Sequence, residues 1–300
     1  MTSVSRALVL SGGGGRGAYQ AGVWAWLQER GWKPDLVSGS SVGAINGAAI
    51  ASGMSGEGLK ELWYSIDGKQ VLRRRRWQNF VHWVKGLFGS VQGFAPLFDT
   101  SPLRELLTEK LDMAAVRASE TELVVTAVRI LDAAVRYFDG RGIGVEHIMA
   151  SSAIPVVFPW EEIDGEAYWD GGLAVNTPLL PAIERRAREV VVVLFVPIAR
   201  GLPRLPATRR RAIEWIFEVS TLASAESLVS LLLTLQGEAP LGELRPQQSP
   251  IAVGQTRLFP VAPTKPLGMH SLLHFEPKQT EFPYQAGYQD ARDQLSNLLG

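Results

Sequence analysis

Gly39-Ser40-Ser41-Val42-Gly43 reads G-x-S-x-G and joins a strand-like run, Asp35–Ser38, to a helix-like run, Ala44–Ile50. A serine on such a sharp strand-to-helix turn holds its hydroxyl above a sheet, beside the backbone amides of a helix N-terminus. Side chains at Gly39 and Gly43 would block the turn and the approach of a substrate. The spacing selects Ser41 over Ser40 as the exposed residue. Upstream, Gly12-Gly13-Gly14-Gly15-Arg16-Gly17 follows the apolar run Ala7–Leu10 and opens a helical stretch, Ala18–Leu27. Consecutive amides without side chains form a concave donor surface, and the helix dipole adds positive potential. Such a surface suits a phosphate and equally the oxyanion of an acyl-transfer intermediate. A third group, Asp170-Gly171-Gly172, ends the alternating run Ile163–Trp169. An isolated Asp-Gly pair is by default a turn. Here it accompanies a serine elbow and a glycine cradle.

Two alternatives compete with a serine–aspartate reading. Gly12, Gly14 and Gly17 also satisfy G-x-G-x-x-G, with Asp35 further on, as in a nucleotide-binding module. A ribose-binding acid should end the second strand, whereas Asp35 begins it. The other alternative is a conventional Ser-His-Asp esterase, because a serine hydroxyl needs a base to become nucleophilic. The histidines are His82, His147, His270 and His274. His147 falls in the helical run Val145–Ala150 and reads as structural, while His270 and His274 could supply a late triad histidine. Against the triad, its nucleophile normally follows several strands, and Ser41 follows only the second.

These blocks, in this order, resemble the patatin-like phospholipase family. The matching residues are Ser11–Val23, Gly39–Ala48, Ala150-Ser151-Ser152-Ala153-Ile154-Pro155 with Phe158-Pro159, and Asp170-Gly171-Gly172. The resemblance implies a three-layer α/β/α sandwich with a mainly parallel central sheet. It implies a Ser–Asp dyad, with Ser41 as nucleophile and Asp170 as base. Gly12, Gly13, Gly14, Gly15 and Arg16 would surround the oxyanion hole. Gly39, Gly43, Gly171 and Gly172 would shape the elbow and the turn. The implied reaction is hydrolysis of lipid esters, of phospholipase A or lysophospholipase type.

Composition fits a large enzyme. Hydrophobic residues make up 46% of 300, enough for a sizeable core. Formal charge is zero, so no nucleic-acid partner is expected. The absence of cysteine excludes disulfides, thiolate metal sites and cysteine nucleophiles. With no EF-hand loop and no H-E-x-x-H, no metal or other cofactor is expected. Met1–Arg6 leads into only four apolar residues, too few for a signal-peptide core, so a cytoplasmic protein is expected.

The elements that must position the site alternate between strand-like and helical runs, the pattern of an α/β protein. Strands are expected at Ala7–Leu10, Asp35–Ser38, Leu123–Val128, Val135–Phe138 and Val190–Val196, and a last one at Ile251–Val261. Residues 1–200 form the expected catalytic core. Residues 201–300 form an extension packed on the same domain and closed by a helix over Gln285–Leu299. Arg200–Arg211 and Glu238–Pro250 read as loops. Arg73–Phe88 carries four arginines followed by Trp77, Phe80, Val84 and Phe88 at helical spacing. Such a helix either caps the core, the commoner origin of an apolar stripe, or makes a peripheral membrane contact. Glu214, Glu218 and Glu226 interrupt Arg209–Leu233, which makes it a poor transmembrane span.

Overall fold

Glu189–Val193 carries valine at four consecutive positions, and a strand can be apolar on both sides only where both faces of its sheet are covered. The structure is a computed structural model. It describes residues 4–66, 68–71, 73–74, 96–195, 251–265, 267 and 280–296. In it this strand, β9, lies inside a nine-stranded sheet. The other strands are β1 (Arg6–Leu10), β2 (Leu36–Ser40), β5 (Glu122–Arg129), β6 (Val135–Asp139), β7 (Glu161–Ile163), β8 (Glu166–Asp170), β10 (Ile251–Val253) and β11 (Thr256–Val261). Their order is β10-β11-β9-β1-β2-β5-β8-β7, with β6 on the remaining edge of β5. The central five, β11, β9, β1, β2 and β5, run parallel, and antiparallel strands finish both sides.

Helices cover both faces. Ala7, Val9, Leu36, Val190 and Val192 join one apolar cluster with Ala182 of helix α8 (Leu180–Glu184). Leu8, Leu10, Val37, Val191 and Val193 point the other way. They meet α1 (Ala18–Glu29), α2 (Val42–Ala51) and α3 (Gly56–Ser65). This is the expected three-layer architecture.

The C-terminal helix α9 (Glu281–Leu295) packs along α1. A Cβ at Gly22 would collide with Tyr284 O, and one at Gly287 with Tyr19 O, so the two backbones meet through paired glycines. Tyr19 Oη donates to buried Asp290 Oδ2 at 3.1 Å across the same contact.

Several expectations change in detail. Ile251–Val261 is a hairpin rather than one strand, because Gly254 at φ +60° turns the chain between β10 and β11. The closing helix starts earlier, at Glu281, with Pro283 in the first turn where a missing amide costs nothing. Arg73–Arg74 is a strand, β3, paired antiparallel with β4 (Phe98–Asp99), not the start of a helix. Ladder hydrogen bonds to a partner strand outweigh a local apolar stripe, and stacked arginines at a helix N-terminus oppose its dipole. Residues 75–88 lie outside the described residues, as do Arg200–Arg211, Arg209–Leu233 and Glu238–Pro250. Among the described residues, no helix is long and apolar enough to cross a membrane.

Candidate active site

Ser41 ends β2 and caps α2 with φ +54° and ψ −126°, a conformation that costs a non-glycine residue about 1–3 kcal/mol. Three contacts hold it there. Its amide donates to Ser151 Oγ at 2.9 Å, and its carbonyl accepts from Ala44 N and Ile45 N. The elbow is tight because backbones touch: a Cβ on Gly39 would collide with Gly43 O, and a Cβ on Gly43 with Leu10 O. Ser40, the neighbour, is fully buried, and its hydroxyl has no partner among the described residues.

Sheet register brings Asp170 to Ser41. Strand β5 outruns β2, whose last pair is Ser40 with Thr126. Strand β6 occupies the other edge of β5, so β8 enters antiparallel on the edge that β2 leaves vacant. Its first pair there is Ala127 with Asp170. The ends of β2 and β8 therefore meet head-on, although their residues are far apart in sequence.

Asp170 Oδ1 accepts from Gly172 N at 2.7 Å, and the Ser41 side chain beside it also favours the ionised carboxyl. Asp170 is 4% exposed, and burial pushes its carboxyl up from 3.8 to about 7 against the pull of these two neighbours. Gly171 lies against Thr126 O with no room for a Cβ.

The glycine loop runs beside this pair; a Cβ on Gly12 would come within 3.1 Å of Ser41 Cβ. Two of the five expected oxyanion amides are engaged elsewhere. Gly12 N donates to Asn176 O at 3.0 Å, and Arg16 N reaches Gly13 O at 3.5 Å. The amides of Gly13, Gly14 and Gly15 have no partner among the described residues. Gly14, at φ +58°, starts a 3-10 turn over Gly14–Arg16 that folds the loop. The Arg16 side chain anchors it through Nε to Gly13 O at 3.0 Å and by stacking over Phe195.

Above Ser41 opens an apolar pocket with an empty volume of about 620 Å³, part of it open to solvent. Gly14 and Ser41 form its floor. Leu62 and Trp63 of α3, Ile154, Phe158, and Leu103, Leu106 and Leu107 of helix α5 (Ser101–Lys110) form its walls.

The nucleotide-binding reading does not gain its key residue. Asp35 sits at the far end of β2, where its Oδ2 accepts from Ser5 N and Arg6 N at 2.7 and 2.9 Å. It ties strand starts together, away from the glycine loop. His147 Nδ1 accepts from Gly144 N at 3.0 Å and its ring packs on Phe138, a structural role. His82, His270 and His274 lie outside the described residues. Among the described residues no group of His, Asp or Glu could hold a metal ion.

The patatin-like phospholipase family model matches residues 8–183, which contain the elbow, the glycine loop and Asp170. The chain belongs to this family. A cGAMP-activated phospholipase of Pseudomonas aeruginosa is 29% identical over 193 residues, covering 57% of this chain and 53% of that protein. The YqhO protein of Bacillus subtilis is 26% identical over 219 residues, 65% of this chain and 73% of YqhO. The chain thus spans about half the length of the cGAMP-activated relative, whose activation is a property of that protein. In fold, the chain is similar to the crystal structure of VipD from Legionella pneumophila, with a TM-score of 0.54 at 15% identity over 99% of this chain and 67% of that one. Two further residues support the site: Ser151, which fixes the Ser41 amide, and Asn176, whose Nδ2 donates to Gly12 O at 3.2 Å. Ser151 stood in a recognised block without a role; Asn176 carried no local signal beyond its nearness to Asp170.

Proposed function

We propose that the protein is a serine acyl hydrolase of lipid esters, with Ser41 and Asp170 as its catalytic pair. The observation that carries this reading is Ser41, on the lining of an apolar pocket, brought by strand register beside the buried Asp170 carboxyl. Asp170 removes the proton as Ser41 Oγ attacks the ester carbonyl, and then delivers it to the departing alcohol. Water, deprotonated by the same carboxylate, hydrolyses the acyl-enzyme and releases the fatty acid. The amides of Gly13, Gly14 and Gly15 hold the oxyanion in both steps, with the N-terminus of α2 adding positive potential. A base with a pKa near 7 is matched to work at neutral pH. Among the described residues the pocket walls carry no charged side chain, which favours an acyl chain over a polar acid. The substrate class is accordingly a carboxylic ester of a long-chain lipid, phospholipid or lysophospholipid.

A fluorophosphonate probe and a soluble short-chain ester test this. Ser41→Ala should lose both labelling and hydrolysis while keeping its fold, and Ser40→Ala should keep most activity. Full hydrolysis by a folded Ser41→Ala protein would overturn the reading.

A further inference from the structure

Glycine has the widest backbone freedom of any residue, so a loop with five glycines in six positions does not hold its own amides in place. An oxyanion hole works only when its donors are fixed beforehand. Some other group must fix them.

A fully buried chain of side chains reaches both ends of the loop. Trp63 Nε1 donates to Asn46 Oδ1 at 2.8 Å. Asn46 Nδ2 donates to Gly17 O at 3.0 Å and to Gln20 Oε1 at 2.8 Å. Gln20 Nε2 donates to Ser11 O at 2.8 Å. Ser11 and Gly17 bracket the glycine loop. Asn46 and Gln20 are both wholly inaccessible to solvent. The polarity of this chain has one solution. An indole N–H can only donate and a backbone carbonyl can only accept. Trp63 therefore fixes the orientation of Asn46, which fixes Gln20, which must donate to Ser11.

The same residues join three parts of the site. Asn46 lies on α2, just over one turn from Ser41. Trp63 is a wall of the apolar pocket, and the site of a Cβ on Gly17 is filled by its ring. The nucleophile helix, both flanks of the loop and the pocket wall are locked in one register.

We infer that Asn46 is a positioning residue for the oxyanion loop, acting through Gly17 O and, by way of Gln20, through Ser11 O. It touches no reacting atom. Its removal displaces the Gly13–Gly15 amides and leaves Ser41, Asp170 and the pocket in place. The inference rests on the assignment of Ser41 as nucleophile and of the loop as oxyanion hole.

The experiment measures kcat and KM on a soluble short-chain ester, the end-point and rate of fluorophosphonate labelling, and the pH–rate profile. It compares Asn46→Ala, Asn46→Asp, Trp63→Phe and Ser41→Ala with wild type. Misplacing a reacting group by an ångström costs on the order of 10²-fold, so Asn46→Ala should lose about 10- to 100-fold in kcat. KM should stay within about twofold, labelling should be slow but reach one equivalent, and the pH limb should not move, because Asp170 is untouched. Asn46→Asp keeps an acceptor for Trp63 but loses both donors, and should be no better than alanine. Trp63→Phe removes the N–H and part of the bicyclic ring, so it should show a smaller loss in kcat, with any change in KM reporting the altered pocket wall. If Asn46→Ala does not fold, Trp63→Phe decides by the same kcat, labelling and pH criteria. Wild-type kcat in the Asn46 variants, or a loss matched by fewer titratable sites, overturns the positioning role while an inactive Ser41→Ala leaves the nucleophile intact. An active Ser41→Ala overturns the nucleophile assignment and the positioning role with it.

Discussion

Asp170 is where burial and chemistry conflict. Its carboxyl is raised to about 7 because ionising it leaves a charge away from water, against the smaller lowering effects of Ser41 and the Gly172 amide. To act as the proposed base it must be ionised, so kcat/KM should climb about tenfold per pH unit below about 7 and level off above it. Stability should run the opposite way. The folded carboxyl holds its proton up to about 7 whereas the unfolded one releases it near 3.8, so the native state binds more protons across that window. Stability contributed by this group is complete below about pH 4 and is lost as pH rises to about 7, a span worth about 4 kcal/mol. Asp170→Asn should lose on the order of 10⁴-fold in turnover. In urea titrations it should exceed wild type in stability at about pH 8, with the advantage fading towards about pH 5. An advantage of the same size at both pH values would place the strain elsewhere than in the charge. Ser40→Ala removes a buried hydroxyl without a partner among the described residues, so its stability should be neutral or slightly raised. At this scale the sequence was most legible. Gly39–Gly43 and Asp170–Gly172 announce themselves because tight turns demand glycine beside the functional residue. Asn46, Gln20 and Trp63 do not, because their contacts join three helices and no local spacing encodes them.

Elements carry the information that single residues lack. The meeting of Asp170 with Ser41 depends on β5 being longer than β2 and on β8 filling the vacated edge. Strand lengths could be read roughly from the apolar runs, but edge choice is a tertiary matter. The closing helix was visible from its composition, whereas its contact with α1 was not. Gly22 and Gly287 look like poor helix residues until the two backbones are seen to touch. Gly287→Ala should therefore destabilise the protein by about 1–3 kcal/mol, since the added methyl meets the Tyr19 backbone, which cannot give way locally. Gly142→Ala, where a Cβ meets nothing, should stay within about 0.5 kcal/mol of wild type. Comparing the two melting curves tests the crossing directly. Equal melting temperatures would mean that α9 adjusts its distance from α1. Because α1 begins where the glycine loop ends, a displaced α1 should also slow fluorophosphonate labelling in Gly287→Ala.

At the scale of the whole molecule, one face of the sheet is closed by packing and the other carries the pocket proposed for substrate. The short helix α8 closes the first, and α1, α2, α3 and α5 build the second, with the pocket opening between α3 and α5 above the end of β2. The α/β class followed from alternating runs, but the pocket did not, because Leu62, Leu103 and Ile154 come from three separate segments and each alone resembles core. The pocket predicts acyl-length selectivity. Each methylene transferred from water to apolar walls is worth about 0.8 kcal/mol, so a long chain gains affinity that a short one cannot. Leu106 is a partly buried wall residue, and enlarging it should shorten the pocket with little strain on the core. If Leu106→Trp excludes three methylenes, it should cost about 2.4 kcal/mol, or about 60-fold in kcat/KM, on a long-chain ester. A butyryl ester should be hydrolysed at the wild-type rate, because its chain ends before the obstruction and Ser41, Asp170 and the glycine loop are unchanged. A series of p-nitrophenyl esters of increasing length reads the effect as a break in the dependence of kcat/KM on chain length. The position of that break measures how deep Leu106 lies along the acyl chain. A parallel fall for every ester would mean that α5 supports the catalytic residues rather than the chain, and an unchanged series would mean that the acyl group leaves Ser41 by another route.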